Sequence, residues 1–175
     1  MLMHTKDYLV SLLREGRFDE WNELTAETIP DLSEVSLPGI DFHGESLGAI
    51  LLLRGDFSGA NFSNCEMESS HLEMGNFSKA NFENAHLVQA VMCDSNFRNA
   101  SFRGANIRGG FLFNSDITGA DLTDSSMDRD NFETFSVAML ATVKGLETVR
   151  GLPHGLYADV LWYRREMGRR LWKRR

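Results

Sequence analysis

Large apolar residues recur at every fifth position over a long, unbroken stretch of this 175-residue chain. Twenty-one consecutive positions of this register, from Leu32 to Phe132, are Leu, Phe, Ile or Met. An α-helix repeats its apolar face about every 3.6 residues and a strand every 2 residues. A period of five therefore predicts neither element but a short turn unit that is repeated many times.

Two further positions of the five-residue unit are restricted. The residue two before the large apolar one is small in fifteen consecutive units, from Gly55 to Ser125. The residue immediately before the large apolar one is Asp, Asn or Ser in fifteen of the twenty-one units. A small residue lets neighbouring backbone approach, and a short polar side chain hydrogen-bonds backbone amides in turns. We therefore expect the large residue to fill an interior and the polar residues to form turns.

Four runs of the chain carry the full pattern: GANFS at 59–63, KANFE at 79–83, GANIR at 104–108 and GADLT at 119–123. These runs resemble the A(D/N)LXX signature of the pentapeptide-repeat family. The resemblance implies an all-β solenoid, a right-handed quadrilateral β-helix in which four pentapeptides make one square coil. Twenty-one units then make about five coils, stacked at about 4.8 Å into a rod about 25 Å long.

A second repeat of twenty residues is superimposed on the repeat of five. Phe57 and Phe62 recur as Phe77 and Phe82, and again as Phe97 and Phe102. Residues twenty apart share a column if each coil has four sides. The recurring pairs therefore predict two stacked ladders of phenylalanine inside adjacent sides of the rod.

One of the four sides is also apolar at positions that a coil directs outward. We name these residues the apolar strip: Leu51, Leu53, Met74, Val91, Cys93, Phe111 and Phe113. The corresponding positions of the other three sides are almost entirely polar, charged or glycine. Because soluble proteins rarely leave contiguous apolar surface open, the pattern predicts a cover. The cover is a terminal helix of the same chain, a second copy in a homodimer, or a separate protein.

Residues 1–30 precede the repeats and are predicted to form an N-terminal helical cap, because an open solenoid end exposes strand edges and core. Apolar residues among charged ones in 5–27, interrupted by Gly16, favour two short helices that end before Pro30. The bulky residues expected to plug the first coil are Tyr8, Phe18 and Trp21. Residues 18–32 also resemble the leader that precedes the repeats in many bacterial family members.

The repeats are predicted to span 31–135, since Asp130 and Phe135 occupy positions where the preceding units have a small residue. Residues 136–175 are predicted to form a C-terminal cap with a basic amphipathic helix. The predicted apolar face of this helix comprises Leu156, Val160, Tyr163, Met167 and Leu171. Its basic residues, predicted to lie elsewhere on the helix, include Arg164, Arg165, Arg169 and Lys173. Residues 156–175 hold seven bases and two acids, whereas 31–135 hold sixteen acids and six bases. The net charge of −7 thus conceals an acidic rod with a basic end.

These features favour a noncatalytic scaffold that binds a protein partner, or a second copy in a homodimer, through the apolar strip. The family resemblance implies an alternative, because members associated with quinolone resistance are acidic rods that occupy the DNA site of gyrase. Adjacent opposite charges, Glu83 with Arg103 and Arg108 with Asp128, are predicted to dilute such a phosphate-like stripe. A further alternative is attachment to an anionic membrane or to nucleic acid through the basic C-terminal helix.

Groups that carry catalysis or bind cofactors do not converge in the sequence. The histidines are His43, His71 and His86 on three different sides, with His4 and His154 in the flanks. Glu66 precedes His86 in one column, which predicts a surface hydrogen bond and not a catalytic site. We expect no enzyme activity, cofactor, metal or small-molecule substrate.

Cysteine placement and hydropathy bear on the compartment. Cys65 falls at an inward position and Cys93 at an outward one, so no disulfide is predicted. The sequence shows no secretory signal and no long apolar run. A reduced, cytoplasmic location is the simplest expectation.

Overall fold

The computed structural model describes residues 5–172, with side chains described through Arg169. The helices are α1 (Lys6–Arg14), α2 (Phe18–Thr25), α3 (Arg129–Glu133), α4 (Val137–Leu140) and α5 (Leu156–Trp172), with a 3-10 helix (Leu146–Thr148) between α4 and α5. Between α2 and α3 the backbone is a regular succession of single β-bridges and turns with a period of five residues.

The repeats wind into a four-sided coil whose successive turns are parallel. Leu51 bridges to His71, His71 to Val91, and Val91 to Phe111, each twenty residues further along the chain. Main-chain hydrogen bonds join the coils, as where the amide of Leu52 donates to the carbonyl of His71 at 2.7 Å. The predicted right-handed quadrilateral β-helix is confirmed, with helices at both ends.

Each side of a coil ends in a tight turn, which explains the polar positions of the unit. The amide of Gly55 donates to the carbonyl of Leu52 at 3.2 Å and closes a four-residue turn. Arg54, the third residue of this turn, has a φ of 56°, in the left-handed region that type II turns require. The short acid of the next unit fixes the next turn, because Asp56 Oδ1 accepts from the amide of Ser58 at 3.1 Å.

Stacked phenylalanine rings fill two adjacent sides of the rod. The ring centroids of Phe62 and Phe82 are 5.0 Å apart with planes 7° apart, and Phe102 continues this ladder at 5.0 Å. The second ladder runs through Phe57, Phe77 and Phe97. All six rings are buried, so the twenty-residue repeat in the sequence corresponds to columns of contact inside the rod.

The two N-terminal helices close the first coil. Trp21 is only 1% exposed, and Phe18 packs edge-on against Phe42 with ring centroids 5.9 Å apart. Tyr8 differs from the prediction, since it does not plug the coil. Its side chain is 38% exposed, and its hydroxyl donates to Glu20 Oε1 at 2.6 Å. A tyrosine hydroxyl needs a polar partner, and the carboxylate at the surface supplies one.

The regular turn units end at Met127, earlier than the predicted boundary at residue 135. Phe132 remains buried, but it belongs to α3 and not to a β-turn unit. Asp130 occupies the position where each unit needs a small residue next to the neighbouring backbone. The chain therefore leaves the coil and forms a helix at this point.

The C-terminal cap nevertheless adds backbone to two sides of the last coil. Lys144 bridges to Asp121 and Arg150 to Ser126, at separations larger than the twenty residues of a regular coil. The following helix, α5, packs against this cap through Val160, which is fully buried. The last coil is thus paired on two of its sides, which leaves fewer unpaired strand edges at this end.

Candidate protein-binding surface

The apolar strip lies on one outer side of the rod, over interior residues that are themselves large and buried. The bridges from Leu51 through His71 and Val91 to Phe111 place the first member of each repeat in one column. The interior residues beneath this column are Leu52, Leu72, Met92 and Leu112, each at most 1% exposed. The parallel stacking of coils therefore assembles a continuous surface from residues that are forty or sixty positions apart in the chain.

The most exposed part of the apolar strip is aromatic. Phe111 and Phe113 are 49% and 51% exposed, and their rings stack with centroids 6.3 Å apart. Met74 is 51% exposed as well. The half-buried members are Leu51, Leu53, Val91 and Cys93. Within residues 5–172 no helix covers these side chains, so a terminal helix of the same chain is not the cover that the described chain uses.

A polar pair interrupts the apolar strip at its middle coil. His71 Nδ1 and Glu73 Oε1 are 2.9 Å apart, on either side of the buried Leu72. The Glu73 side chain is only 18% exposed, and its Oε2 atom is buried without a hydrogen-bond partner in the described structure. Sequence reasoning missed this pair, although both residues occupy strip positions of the repeat between Leu53 and Val91. A buried carboxylate oxygen without a donor favours a partner that carries N–H or cationic groups.

The two cysteines lie in different environments. Cys65 is fully buried, and its Sγ donates to the carbonyl of Phe42 at 2.8 Å. Burial raises the pKa of the Cys65 thiol to about 12. Cys93 is half-buried within the apolar strip, and burial raises the pKa of its thiol as well. Neither is paired in a disulfide.

A thiol reagent is expected to modify Cys93 slowly and to leave Cys65 unmodified in the folded protein. Because the thiolate is the reacting species, the rate at Cys93 rises as the pH is raised above neutrality. Mass spectrometry after maleimide labelling, in native buffer and in denaturant, checks both statements. A Cys93→Ser variant is the control, and labelling of this variant without denaturant would contradict the burial of Cys65.

Charges on the other sides of the rod are paired between coils. Arg98 and Asp116 form an ion pair at 2.8 Å, and Arg103 and Asp121 form one at 3.3 Å. The predicted pairing of Arg103 with Glu83 is wrong, because the guanidinium turns toward the following coil and not the preceding one. These pairs are partly exposed, so each is worth only about 0.2–1 kcal/mol.

The carboxylates in these pairs titrate below their usual range. Burial raises the pKa of Asp116, but hydrogen bonds from Thr118 and the contact with Arg98 outweigh burial, and the pKa is lowered overall. The pKa of Asp121 is lowered for the same reasons, with Thr123 and Arg103 as its partners. Both side chains therefore remain ionised, and serve as turn caps, across the neutral range.

In other outer columns the hydrogen bonds between coils join neutral side-chain amides, or a side chain and a backbone amide. The side-chain amide of Asn81 donates to Asn61 Oδ1 at 3.2 Å. The predicted pair of Arg108 with Asp128 is replaced by a hydrogen bond at 2.6 Å from the amide of Gly109 to Asp128 Oδ2. Because acids are interleaved with amides and bases, the outer columns resemble structural ladders more than a phosphate-like stripe.

The predicted apolar face of α5 lies toward the C-terminal cap. Along it, Val160 is fully buried, Leu156 and Tyr163 are partly buried, and Met167 is 38% exposed. Leu171 lies outside the described side chains. Arg164 was predicted to lie elsewhere on α5, but its guanidinium donates to the carbonyls of Ala141 and Val143 at 2.8 and 2.6 Å. The long apolar stem of arginine allows it to lie on a packed face while its guanidinium binds carbonyls just after α4.

The opposite side of α5 exposes two large apolar residues. Trp162 is 66% exposed and Leu161 is 45% exposed. Arg165 and Arg169 follow on the same side and are also exposed. The helix therefore has a second surface, both apolar and basic, that the sequence pattern did not predict.

Histidines do not form a cluster in the described structure. His43 Nδ1 lies 2.8 Å from Ser63 Oγ, and His86 Nδ1 lies 2.9 Å from Glu66 Oε2 at the surface. His4 lies outside the described residues. In residues 5–172 no group of three or more His, Cys, Asp or Glu side chains is arranged to hold a metal ion. No helix in the same part of the chain combines the length and apolar composition that a bilayer crossing requires.

Several solved structures are similar to this chain. A pentapeptide-repeat protein, Rfr23, from the cyanobacterium Cyanothece 51142 is 29% identical, with a TM-score of 0.34, over 51% of this chain and 58% of its own. HetL from Nostoc sp. strain PCC 7120, a pentapeptide-repeat protein involved in regulation of heterocyst differentiation, is 19% identical, with a TM-score of 0.41, over 57% and 56%. QnrB1, a plasmid-mediated fluoroquinolone resistance protein, is 16% identical, with a TM-score of 0.20, over 77% and 95%. The chain thus spans less than two thirds of the length of the first two.

Family-level similarity is carried by the repeats themselves. No curated protein matches the chain. Residues 76–112 match the family model described as pentapeptide repeats, in eight copies. The five-residue units that this match covers continue, with the same turn geometry, from Leu32 to Met127. This chain therefore contains pentapeptide repeats, which the family model matches over residues 76–112.

Proposed function

We propose that this protein is a noncatalytic scaffold that binds another polypeptide through the apolar strip. The observation that carries the proposal is the concentration of exposed apolar side chains on one side of an otherwise polar rod. Phe111, Phe113 and Met74 are each about half exposed, whereas the outer columns of the other sides are occupied by ion pairs and amide ladders. Contiguous apolar surface of this kind marks interaction sites.

The shape of the apolar strip suits binding more than catalysis. Its members project from backbone that main-chain hydrogen bonds fix to neighbouring coils, and Phe111 and Phe113 are fixed in this way to the preceding coil, so little ordering cost is incurred when a partner binds. Large aromatic residues that a partner buries contribute much of the binding energy of an interface. Phe111 and Phe113, stacked on each other, are therefore the expected anchor of the interface.

The double substitution Leu53→Asp with Phe111→Asp is expected to abolish binding through the apolar strip. Each change places a carboxylate where a partner would have to desolvate it, and the anchor ring is lost as well, at a combined cost of about 2 kcal/mol or more. Light scattering reports self-association, and affinity capture followed by mass spectrometry reports partners. A variant that keeps every partner and the wild-type mass would overturn the proposal.

A matched control comes from the neighbouring side of the rod. Val88 occupies the same position of its repeat as Leu53 and is likewise half-buried, but it lies outside the apolar strip. Val88→Asp is expected to leave partner capture and mass unchanged. Circular dichroism and thermal unfolding of both variants separate loss of binding from loss of fold.

A further inference from the structure

The size of the apolar strip limits what can cover it. Leu51 and Phe111 are separated by three coil-to-coil steps, or about 14 Å at 4.8 Å per step. The strip is two to three residues wide, roughly 10 Å, so its area is on the order of 140 Å² and well below the ~800 Å² per partner of a stable flat interface. A second rod laid flat against this side would bury only this strip on each copy, whereas an exchanged helix buries the strip and one helix side on each copy. A single α-helix, about 10 Å in diameter, matches the width of the strip.

The charges around the apolar strip define the chemistry of that helix. Glu73 lies within the strip with a buried, unpartnered Oε2, and Asp94 is exposed beside Cys93. A helix that combines large apolar residues with basic side chains would fill the strip and place positive charge near these two acidic side chains.

The exposed side of α5 has these properties. Trp162 and Leu161 supply the apolar residues, and Arg165 and Arg169 lie one to two turns further along the same side. The helix is 17 residues long, or about 25 Å at 1.5 Å per residue, which exceeds the length of the apolar strip. Within residues 5–172 neither surface is covered by another part of the chain, and the two match in apolar character and opposite charge.

Helix α5 cannot bind the apolar strip of its own chain while it is docked on its own C-terminal cap. Val160 is fully buried against the C-terminal cap, and Arg164 is hydrogen-bonded to Ala141 and Val143. The side of α5 that carries Trp162 is opposite to this docked side and therefore faces away from its own rod. The contact has to be made by a different molecule.

We propose that the apolar strip binds α5 of a second copy of this chain, and that two copies exchange this contact reciprocally in a closed dimer. Trp162 and Leu161 pack on the strip, and Arg165 lies over its acidic residues. Reciprocal exchange forms two equal contacts and leaves neither surface open, as expected for a closed symmetric pair. This inference rests on the proposed function, because it names the partner of the same surface.

Mixing two complementary variants tests the proposal. The strip variant, Leu53→Asp with Phe111→Asp, keeps α5 intact, and the helix variant, Leu161→Ser with Trp162→Ser, keeps the apolar strip intact. Each variant alone is expected to lose self-association by about 30-fold or more and to sediment at the monomer mass of 19.8 kDa. An equimolar mixture is expected to recover a one-to-one dimer, because one of the two contacts remains complete.

Labelling of Cys93 gives a second readout at the surface itself. In the wild-type dimer the thiol is covered, so maleimide labelling is expected to slow as protein concentration rises from low micromolar to submillimolar. In the mixture, the helix variant is protected and the strip variant is not, because only the helix variant still presents a functional strip to its partner. Glu147→Ser, which changes an exposed residue of the 3-10 helix outside both surfaces, is the control and should dimerise normally.

The outcomes separate this inference from the proposed function. A helix variant that dimerises like the wild type, while the strip variant does not, would show strip-to-strip contact and overturn the inference. A wild-type protein that stays monomeric at submillimolar concentration would overturn it too. If the strip variant then still lost a cellular partner, the proposed function would stand without it. Phe113→Ser, at a half-exposed ring, replaces the strip variant if the double substitution fails to fold.

Discussion

Replacement of Phe82 by alanine is expected to lower the free energy of unfolding by about 3–5 kcal/mol. Its ring is fully buried, forms the middle of one ladder and contacts two rings of the other. It stacks on Phe62 and Phe102 with centroids 5.0 Å apart and meets Phe77 and Phe97 at 5.9 Å. Coils above and below hold these rings in place, so the cavity cannot collapse and the full cost of the lost contacts is retained.

Chemical denaturation monitored by circular dichroism measures this loss. Phe82→Leu is the matched control, since leucine occupies the same position in other units, such as Leu87 and Leu122, and fills much of the ring volume. We expect the leucine variant to lose roughly 1–2 kcal/mol. An alanine variant as stable as the leucine variant would mean that the coils relax into the vacated space.

Replacement of Trp21 by alanine is expected to lower the free energy of unfolding of the N-terminal end by a similar amount, about 3–5 kcal/mol. Unlike the loss at Phe82, this loss is expected to be confined to the first coil. The indole is 1% exposed and packs on Phe42 with ring centroids 6.3 Å apart. Because a solenoid coil contacts only its neighbours, loss of the N-terminal plug opens the first coil and leaves the distant coils paired.

Hydrogen exchange distinguishes this local opening from global unfolding. The amide of Phe42 donates to the main-chain carbonyl of Asn61 at 2.8 Å, and the amide of Phe102 donates to that of Asp121 at 2.7 Å. In Trp21→Ala the Phe42 amide is expected to lose protection while the Phe102 amide keeps it. An equal loss at both amides would indicate that the rod unfolds as one cooperative unit.

Trp21→Phe is the matched control for the N-terminal plug. The indole Nε1 has no hydrogen-bond partner in the described structure, so phenylalanine removes a buried, unsatisfied donor while keeping an aromatic ring. Its stability is expected within about 1 kcal/mol of the wild type. The two variants together separate the ring volume from the indole N–H.

Much of the rod follows from sequence because each unit repeats the same local chemistry. A large residue at Phe62, a small one at Ala60 and an amide at Asn61 specify a turn and its interior contact within five residues. Stacking then fixes the long-range partners at a constant separation of twenty. The phenylalanine ladders and the members of the apolar strip could therefore be located by counting.

The departures from expectation occur where the twenty-residue repeat is interrupted, or where a long side chain has more than one possible partner. Arg103 has acids on both adjacent coils, and only its rotamer decides that it pairs with Asp121 and not Glu83. The burial of Glu73 depends on the apolar residues that surround it in space, and its own unit does not reveal them. Phe132 keeps the apolar register although its backbone has become α3.

The sequence by itself determined the four-sided β-helix, its buried columns and the residues of the apolar strip, because contacts in a repeat are set by short turns and a constant register. Only the tertiary structure decided how α5 is used. Hydrogen bonds from Arg164 and burial of Val160 fix one side of the helix on the cap. They leave Trp162 exposed and the apolar strip uncovered by the described chain, since these contacts occur once in the molecule and no repeated pattern encodes them.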